Sequence, residues 1–492
     1  MPFSYANLKI DTFQPMKIES IDIKLDFNDT NGILKPFSEI NCGPLPNHDM
    51  PGVDLTNPYQ QTGFSFIRTH DFSGPTDISE IFPDFNADPS LESNYDFQRS
   101  DTYISAIINA GCQVFYRLGE SASSEKKLRE PPEDFNKWAE VCKHIVMHYN
   151  DGWNNGFFYN IKYWEIWNEP DIVGFWNGSA QDYYQLYHTT SSTLKSYNSS
   201  LKIGGPCTSS ITNPEYTSGF LSYVKNNGLP LDFFSWHQYA DTPNQLFLSS
   251  KTIRQLIDNY GLINCENINS EWNINIITPQ RDKDNAKNTA FTTCCLSCFQ
   301  DADLDHAFRY RGTQDPNWLM RLIGFDLSLF THEGMYKKPA LSYLAMNNMI
   351  VDTPIRLNTP IMDASSGITY IAGISKDKTN LTLMISNFNA AKTESTFEIT
   401  NIPWDEYYTV AQYSIDNSHN LDIIDQSENS SPTYSSNLEL KSNSVHLIRL
   451  TNSSYLPNEG PKTAQIPFIL QLKILDPITR LLGIFLLLLI FS

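Results

Sequence analysis

Residues 162–170 read KYWEIWNEP, and this stretch decides how the rest of the chain is interpreted. Its aromatic and branched side chains, with no glycine among them, predict a buried β-strand. Pro170 cannot continue a hydrogen-bonded ladder, so the strand must end before it. The polar pair Asn168 and Glu169 therefore lies at the carboxyl end of a hydrophobic strand, where parallel α/β sheets and barrels hold their functional groups. A solvated carboxylate at a strand end is the alternative interpretation of Glu169.

Seven further segments are also predicted to be strands, and helical segments lie between several of them. The clearest helix is 135–149, whose apolar residues recur on one face, with two prolines before it and Gly152 after it. Strands that alternate with helices predict a parallel sheet, and eight such units predict a closed (β/α)₈ TIM barrel, an α/β fold that we place at 33–352. The predicted strands are 37–42, 64–70, 113–118, 161–168, 201–205, 232–239, 268–272 and 304–310.

The residues on either side of the predicted barrel have a different pattern. Residues 21–27 alternate apolar and polar side chains, which is typical of a half-exposed strand. After 352, short strand-like runs are separated by Asn, Ser, Gly and Pro, as in an antiparallel β-sandwich. We therefore assign 353–452 to an accessory β-sandwich domain that the amino-terminal strands within 1–32 join. Residues 426–437, rich in Asn and Ser, are predicted to be a loop.

The carboxyl terminus is predicted to contain a linker, 453–465, and a hydrophobic tail, 466–492. Residues 481–491 have no polar side chain, but they are fewer than the roughly 20 that a membrane-spanning helix needs. Three interpretations stay open, namely a membrane anchor, a lipid-attachment signal that is removed, and a buried helix. An anchor is favoured, and it would place the protein at a membrane or outside the cell, although residues 1–12 contain no secretory signal.

The composition excludes some partners. The net charge is −20, which repels phosphate backbones, so nucleic acid is not an expected partner. Of the eight cysteines only Cys294, Cys295 and Cys298 cluster, and no second Cys or His pair stands at ligand spacing. We expect buried thiols on a helix, and no metal or cofactor.

Cleavage of a glycosidic bond needs two carboxyl groups that face each other across the bond. Glu169 ends predicted strand four, and Glu271 lies near the end of predicted strand seven, after an apolar approach and before Trp272. In a closed ring of eight strands these two positions lie on facing parts of the wall, so both side chains reach one axial cleft. The pair predicts a glycosidase with an oligo- or polysaccharide substrate.

Two other strands end in groups that suit such a cleft. His237 and Tyr239 point to the same face of strand six, and Tyr239 is expected to hydrogen-bond Glu271 and hold it ionised. Arg68 ends strand two, and a buried arginine must be paired. Its partner is either a catalytic carboxylate or a purely structural acid such as Asp71.

Four strand-end motifs together resemble those of glycoside hydrolase family 39, which includes β-xylosidases and α-L-iduronidases. They are RTH on strand two, WNEP on strand four, WHQY on strand six and SEWN on strand seven. The resemblance spans 36–350. It implies a retaining mechanism through a glycosyl-enzyme intermediate, with Glu169 as general acid/base and Glu271 as nucleophile. Asn168 would hold the sugar 2-hydroxyl. The remaining predicted substrate-binding residues are His70, His237, Tyr239, Arg68 and Trp272.

Predicted strand eight departs from the aromatic-rich ending that is usual in that family. It contains Arg309, and Arg311 follows it, and either guanidinium in the cleft would suit a uronate carboxylate. The resemblance implies a β-xyloside or related glycan as the substrate, and another specificity, such as that of an α-L-iduronidase-like uronidase, is the enzymatic alternative. A non-catalytic, membrane-tethered glycan-binding protein is the alternative from another class. Sugar, anomer, and exo or endo action stay open, as does the oligomeric state.

Overall fold

The computed structural model describes residues 20–45, 52–70, 74–122, 128–314, 324–405 and 407–452. The predictions for 1–19, for the linker 453–465 and for the hydrophobic tail 466–492 lie outside these ranges. In the ranges described, no helix combines the length and the apolar character that crossing a bilayer requires.

The described chain contains strands throughout, while its helices lie between 56 and 352. The strands are β1 (Ser20–Asp26), β2 (Thr30–Ile33), β3 (Glu39–Asn41), β4 (Phe66–Arg68), β5 (Gln113–Leu118), β6 (Tyr163–Ile166), β7 (Lys202–Thr208), β8 (Phe233–Ala240), β9 (Glu266–Ile274), β10 (His306–Arg309), β11 (Ile355–Leu357), β12 (Ile368–Ile374), β13 (Asn380–Asn387), β14 (Thr393–Thr400), β15 (Tyr408–Ile415), β16 (Asn420–Asn429), β17 (Tyr434–Leu440) and β18 (Ser444–Asn452). The α-helices are α1 (Thr56–Thr62), α2 (Ile78–Ile81), α3 (Gln98–Asn109), α4 (Phe135–Asp151), α5 (Ala180–Tyr197), α6 (Phe220–Asn227), α7 (Pro243–Asn259), α8 (Gln280–Lys283), α9 (Ala286–Cys298) and α10 (Ala340–Asp352).

Strands β3 to β10 close into a parallel barrel in which β10 pairs with β3. All eight predicted barrel strands are present, so the predicted (β/α)₈ fold is confirmed. The fourth strand, β6, is shorter than predicted and stops at Ile166. It stops there because the next residue, Trp167, has a left-handed backbone with φ of 75°. That residue therefore belongs to the turn that presents Glu169.

Several helices begin and end at residues with capping geometry. Helix α4 begins after Asp134, whose carboxylate accepts hydrogen bonds from two backbone amides, and it ends at Gly152, whose φ is 74°. Helices α5 and α7 both begin with a capping box, at Ser179 and Thr242. Helix α4 begins at residue 135, as predicted, and extends two residues beyond the predicted end.

Residues inside the barrel alternate with residues that face the helices, as the strand period of two requires. Near the amino ends of the strands the interior is filled by six apolar side chains, which we call the floor cluster. Its members are Phe66, Phe115, Tyr163, Phe233, Ile268 and Phe308. The side chains between them pack outward, for example Tyr116 against Trp164 with ring centroids 4.8 Å apart. The floor cluster closes one end of the barrel to water.

Two β-sheets lie beside the barrel. One has the order β16-β15-β18-β13-β12-β11-β2, and the other has the order β1-β14-β17. Both sheets contribute side chains to a second hydrophobic core, separate from the larger core of the barrel. Strand β1 pairs with β14 in parallel, whereas the remaining pairs in these sheets are antiparallel. The amino-terminal strands therefore join the carboxyl-terminal sheets, as the alternation in 21–27 predicted.

The predicted loop at 426–437 is wrong at both ends. Residues up to Asn429 belong to β16, and residues from Tyr434 onward belong to β17. The side chains of β16 are mostly exposed and polar, so its composition resembles a loop. Its backbone is nevertheless paired along β15, and that pairing does not depend on side-chain hydrophobicity.

All eight cysteines are free and buried, as expected for structural thiols. Cys294, Cys295 and Cys298 lie on α9, which packs between the barrel and the β-sheets. The Cys294 thiol points toward the backbone carbonyl oxygen of Gly367 at 3.6 Å. These thiols help to fill the interface between the two cores.

Candidate active site

Glu169 is presented by a strained turn at the carboxyl end of β6. Trp167 and Glu169 both have positive φ, 75° and 42°, which is rare for residues with large side chains. The turn is held by hydrogen bonds from the Trp167 amide to the Leu118 carbonyl at 2.6 Å and from the Glu169 amide to the Cys207 carbonyl at 3.0 Å. Backbone strain of this kind costs about 1–3 kcal/mol per residue and concentrates at functional sites. It brings the Glu169 side chain over the open end of the barrel.

Glu271 projects from β9 into the barrel interior. Both of its carboxylate oxygens accept hydrogen bonds, from Arg68 Nη1 at 2.8 Å and from the Tyr239 hydroxyl at 2.7 Å. The predicted contact between Tyr239 and Glu271 is therefore confirmed. A guanidinium and a phenol that converge on one carboxylate stabilise its negative charge.

Glu169, His237 and Glu271 form one compact group. His237 Nδ1 lies 2.7 Å from Glu169 Oε1 and 3.7 Å from Glu271 Oε2. Each of the three side chains offers an atom within 4.8 Å of the atoms offered by the other two. The spacing would also suit a cation, but the Arg68 guanidinium already lies against Glu271 and would repel one. The two predicted carboxyl groups are thus close neighbours in one cleft.

The environment of Glu169 favours its protonated form. Burial and, to a smaller extent, the nearby carboxylate of Asp171 raise the pKa of Glu169 to about 8, against the opposing effect of the Arg68 charge. Asp171 is held in place by hydrogen bonds from the Thr208 hydroxyl and from the backbone and side chain of Ser209. A carboxyl group with such a pKa is suited to donate a proton near neutral pH.

The two predicted site histidines are neutral. Burial lowers the pKa of His237, and burial together with the charges of Arg117 and Arg68 lowers the pKa of His70 well below its usual range. His70 Nε2 lies 3.8 Å from Glu271 Oε1, and its ring packs near Phe175. Both imidazoles are therefore uncharged, and of the two only His237 hydrogen-bonds a site carboxyl group, that of Glu169.

Arg68 connects the floor of the cleft to its functional groups. Arg68 is fully buried, and its guanidinium forms ion pairs with a structural acid, Glu165, and with the candidate nucleophile, Glu271. Both interpretations of its partner, a structural acid and a catalytic carboxylate, are therefore correct. Asp71, the other suggested partner, lies outside the described residues. The hydrogen-bond partners of Arg68 are Glu165 Oε2 at 2.6 Å, Glu271 Oε1 at 2.8 Å, Asn168 Oδ1 at 2.8 Å, Asn41 Oδ1 at 2.9 Å and Cys207 Sγ at 3.0 Å. We call this group, with His237 and Tyr239, the rim cluster.

Asn168 is oriented toward the cleft by Arg68. Its Oδ1 accepts the Arg68 hydrogen bond, so its Nδ2 is the donor left over. Within the described part of the chain, the buried Nδ2 atom has no hydrogen-bond partner. A buried amide donor without a partner is suited to a ligand hydroxyl.

The structure does not bring Trp272 into the cleft. Its side chain is fully buried, and its ring packs edge-on against Phe299 at 5.2 Å, in the layer between barrel and helices. The reason is the strand period, since the neighbour of an inward residue such as Glu271 faces outward. The prediction that Trp272 binds substrate is therefore not supported.

The two arginines at the end of the eighth strand, Arg309 within it and Arg311 after it, take different positions. Arg309 is fully buried among the outer layer, where it contacts Asn273 Oδ1 and the Leu327 carbonyl, and burial lowers its pKa to about 10. Arg311 lies over the ring of Tyr310 at 5.4 Å, and its charge contributes to the low pKa of His70. Of the two, Arg311 is the one near the cleft.

Three members of the rim cluster were missed by sequence reasoning. Glu165 lies inside the motif at 162–170, two residues after the inward-facing Tyr163, and the need of Arg68 for a partner is the signal that could have found it. Asn41 and Cys207 end barrel strands or lie next to their ends. A search of every strand end for polar side chains would have included both.

Comparison with known proteins agrees with this geometry. The sequence profile described as glycosyl hydrolases family 39 matches residues 22–315, more than half of the chain. The chain belongs to this family. The predicted resemblance to this family is thereby confirmed.

Curated relatives match part of the length of this chain. A β-xylosidase of Geobacillus stearothermophilus is 24% identical over 282 residues, covering 51% of this chain and 54% of the relative. A β-xylosidase of Caldicellulosiruptor saccharolyticus is 28% identical over 207 residues, covering 39% of each. The chain thus spans about half or less of the length of these curated relatives. The crystal structure of a glucosidase from Croceicoccus marinus superposes with a TM-score of 0.76 at 22% identity, covering 89% of this chain and 100% of that one, which supports the fold.

Proposed function

We propose that this family 39 protein is a retaining glycosidase that hydrolyses O-glycosidic bonds through a covalent glycosyl-enzyme intermediate. The observation that carries the proposal is the spacing of the two carboxyl groups, whose nearest atoms lie within 4.8 Å. Retaining glycosidases hold these groups about 5–5.5 Å apart, whereas inverting enzymes separate them by about 6.5–9.5 Å to admit a water. The short spacing favours direct attack by Glu271.

In the first step, a carboxylate oxygen of Glu271 forms a bond to the anomeric carbon. The bond from that carbon to the leaving oxygen breaks, its electron pair goes to the oxygen, and the proton of Glu169 follows it. Arg68 and Tyr239 hold Glu271 in position for this attack. Asn168 Nδ2 is placed to donate to the sugar 2-hydroxyl, a contact that strengthens in the transition state.

In the second step, Glu169 acts as the general base. It takes a proton from water, and the water oxygen attacks the anomeric carbon while Glu271 leaves as a carboxylate. Each anomeric substitution inverts the configuration, so two substitutions retain it. The enzyme is returned with Glu169 protonated and Glu271 ionised.

A β-xyloside is the favoured substrate, because two relatives carry the name β-xylosidase. A uronoside is the alternative, favoured by the position of Arg311 near His70. If Arg311 reads a uronate carboxylate, Arg311→Ala will reduce turnover of uronosides far more than that of neutral glycosides. An equal loss on both would remove this role.

The deciding experiment is hydrolysis of a panel of aryl glycosides by the wild type, Glu169→Ala and Glu271→Ala, with azide as an external nucleophile. We expect azide to restore Glu169→Ala with a glycosyl azide of retained configuration and Glu271→Ala with one of inverted configuration. Glu266→Gln is the matched control, since Glu266 lies on the same strand but pairs with Lys202 at the other end of the barrel. If no glycoside is cleaved while glycans bind equally to all four proteins, the protein is a glycan-binding protein and the proposal fails.

A further inference from the structure

Cys207 is a fully buried thiol inside the rim cluster to which the proposed reaction assigns no role. It lies in β7 directly after Pro206, with a left-handed backbone of φ 57°. That backbone places its carbonyl oxygen 3.0 Å from the Glu169 amide and its sulfur in the cleft. The atoms around Sγ are His237 Nε2 at 2.9 Å, Arg68 Nη2 at 3.0 Å, Asn168 Oδ1 at 3.5 Å and Ser270 Oγ at 3.7 Å.

These neighbours define the direction in which the thiol donates. Burial raises the pKa of the Cys207 thiol well above its usual range, so the sulfur keeps its proton. Arg68 has only donors, so it points an N–H at the sulfur. The nearest acceptor for the S–H is His237 Nε2, because the other acceptors lie at least 0.6 Å farther away. The Cys207 thiol therefore donates to His237 Nε2.

This donation fixes the tautomer of His237. A neutral imidazole that accepts at Nε2 carries its hydrogen on Nδ1. Nδ1 lies 2.7 Å from Glu169 Oε1, so its N–H donates to that oxygen. A carboxyl oxygen that accepts this hydrogen bond disfavours a proton of its own, which leaves the acid proton on Oε2.

We propose that Cys207 is a positioning residue, which acts through His237 to hold the acid proton of Glu169 on Oε2, the oxygen that no described residue occupies. The inference rests on the proposed function, because it concerns the proton that Glu169 gives to the leaving group. Since the Cys207 carbonyl also accepts a hydrogen bond from the Glu169 amide, Cys207 holds the general acid directly by its backbone and through His237 by its side chain.

The test separates proton donation from general damage by the choice of leaving group. A 2,4-dinitrophenyl glycoside leaves without protonation, whereas a phenyl or alkyl glycoside of the same sugar needs the acid. We expect Cys207→Ala to lower kcat/KM about 10- to 100-fold on the poor leaving group and less than about 3-fold on dinitrophenolate, since general acid catalysis contributes about 100- to 10,000-fold in all. Cys207→Ser, which keeps a donor, should recover most of the loss.

Two controls distinguish the possible failures. Cys142→Ala removes a fully buried thiol from α4, outside the cleft, and should show no leaving-group dependence. Glu169→Ala should show a larger leaving-group dependence than Cys207→Ala, and the double variant should lose no more than Glu169→Ala alone. If Glu169→Ala shows no such dependence, the proposed function fails. If it does and Cys207→Ala slows both substrates equally or neither, the inference about Cys207 is overturned.

A readout without substitution at Cys207 keeps the inference testable if Cys207→Ala does not fold. Nitrogen-15 chemical shifts of histidine-labelled wild type report the tautomer of each neutral imidazole, and the His237 signal is identified by its absence from His237→Asn. We expect the tautomer with hydrogen on Nδ1 at neutral pH. A hydrogen on Nε2 would mean that the thiol accepts instead of donating, and the inference would fall.

Discussion

The two ends of the barrel interior differ in chemistry although the same strands build both. At the amino end lies the floor cluster of six apolar side chains. In β4, Arg68 lies two residues after Phe66, and in β6, Glu165 lies two residues after Tyr163. Arg68 and Glu165 belong to the rim cluster. Two residues advance a strand by about 7 Å. A barrel can therefore place a stabilising residue and a functional residue only two positions apart on the same strand.

The floor cluster also sets the conditions at the rim. Because it closes one end to water, charges above it are in a poorly solvated environment and need partners. Arg68 meets that need with two carboxylates, Glu165 and Glu271. Glu169 has no cation in direct contact among the described residues, and burial raises its pKa. The two acids thus differ in their surroundings: Glu271 contacts the Arg68 guanidinium, whereas Glu169 lacks such a contact and its pKa is raised.

The largest effect is expected when the rim loses its cation. Arg68→Met leaves Glu165 and Glu271 without their cationic partner in the barrel interior, which costs about 3–5 kcal/mol of unfolding free energy. It also removes one of the two groups that orient the nucleophile. Activity should fall by more than about 100-fold. Chemical denaturation and kcat/KM measure the two losses. Arg68→Met with Glu165→Gln should recover stability without activity, and Lys24→Met, at an exposed pair with Asp22, should change neither.

The second effect tests whether the floor matters for stability alone. Phe115→Ala creates a cavity among the aromatic rings of the floor cluster, where Phe308 lies 4.7 Å and Phe233 lies 5.2 Å from its centroid. We expect a loss of about 3–5 kcal/mol of unfolding free energy. The kcat of the folded protein, measured well below its melting temperature, should stay within about threefold of wild type. A loss of kcat as large as that of Arg68→Met would contradict the assignment of stability to the floor cluster and of activity to the rim cluster.

Much of the rim was predictable, because position along a strand determines direction. The contact between Tyr239 and Glu271 followed from the ends of two adjacent strands, and the hydrogen bond at 2.7 Å confirms it. The same rule, applied to Trp272, would have placed it outside the cleft. The error came from treating proximity in sequence to Glu271 as proximity in space.

Other features depend on packing that a single sequence does not encode. The left-handed turns at Trp167 and Cys207 have no glycine to mark them, so neither the early end of β6 nor the position of the Cys207 sulfur could be read from local pattern. The register break between β8 and β9 at His237 sets which side chains face Glu271. The polar strand β16 is defined by backbone pairing alone. In each case a tertiary contact overrides the local preference.

A smaller effect is expected from a single hydroxyl at the rim. Tyr239→Phe removes the hydrogen bond to Glu271 Oε2 while Arg68 still holds Oε1. We expect kcat/KM to fall about 10- to 100-fold and the unfolding free energy to change by no more than about 1.5 kcal/mol. Tyr163→Phe makes the same chemical change in the floor cluster, where the hydroxyl contacts Lys202 and His306, and kcat/KM should hardly change. Equal losses in the two variants would contradict the comparison.

The last effect is a pH dependence that arises from Glu169 alone. Since the pKa of Glu169 is raised to about 8, kcat/KM should fall above that pH as the acid loses its proton. The native state also keeps a proton that the unfolded chain, with the ordinary pKa of 4.5, has already lost, so stability should decline as pH rises from about 4.5 to about 8. Glu169→Gln, which cannot titrate, should flatten that decline and remove the alkaline fall of the residual rate.

Kinetic and denaturation profiles between pH 4 and 9 measure both effects, and Glu266→Gln should keep the shape of the wild-type profiles. An alkaline fall that persists in Glu169→Gln would assign the titration to another group, and the contrast between an isolated acid and a paired one would lose its functional meaning.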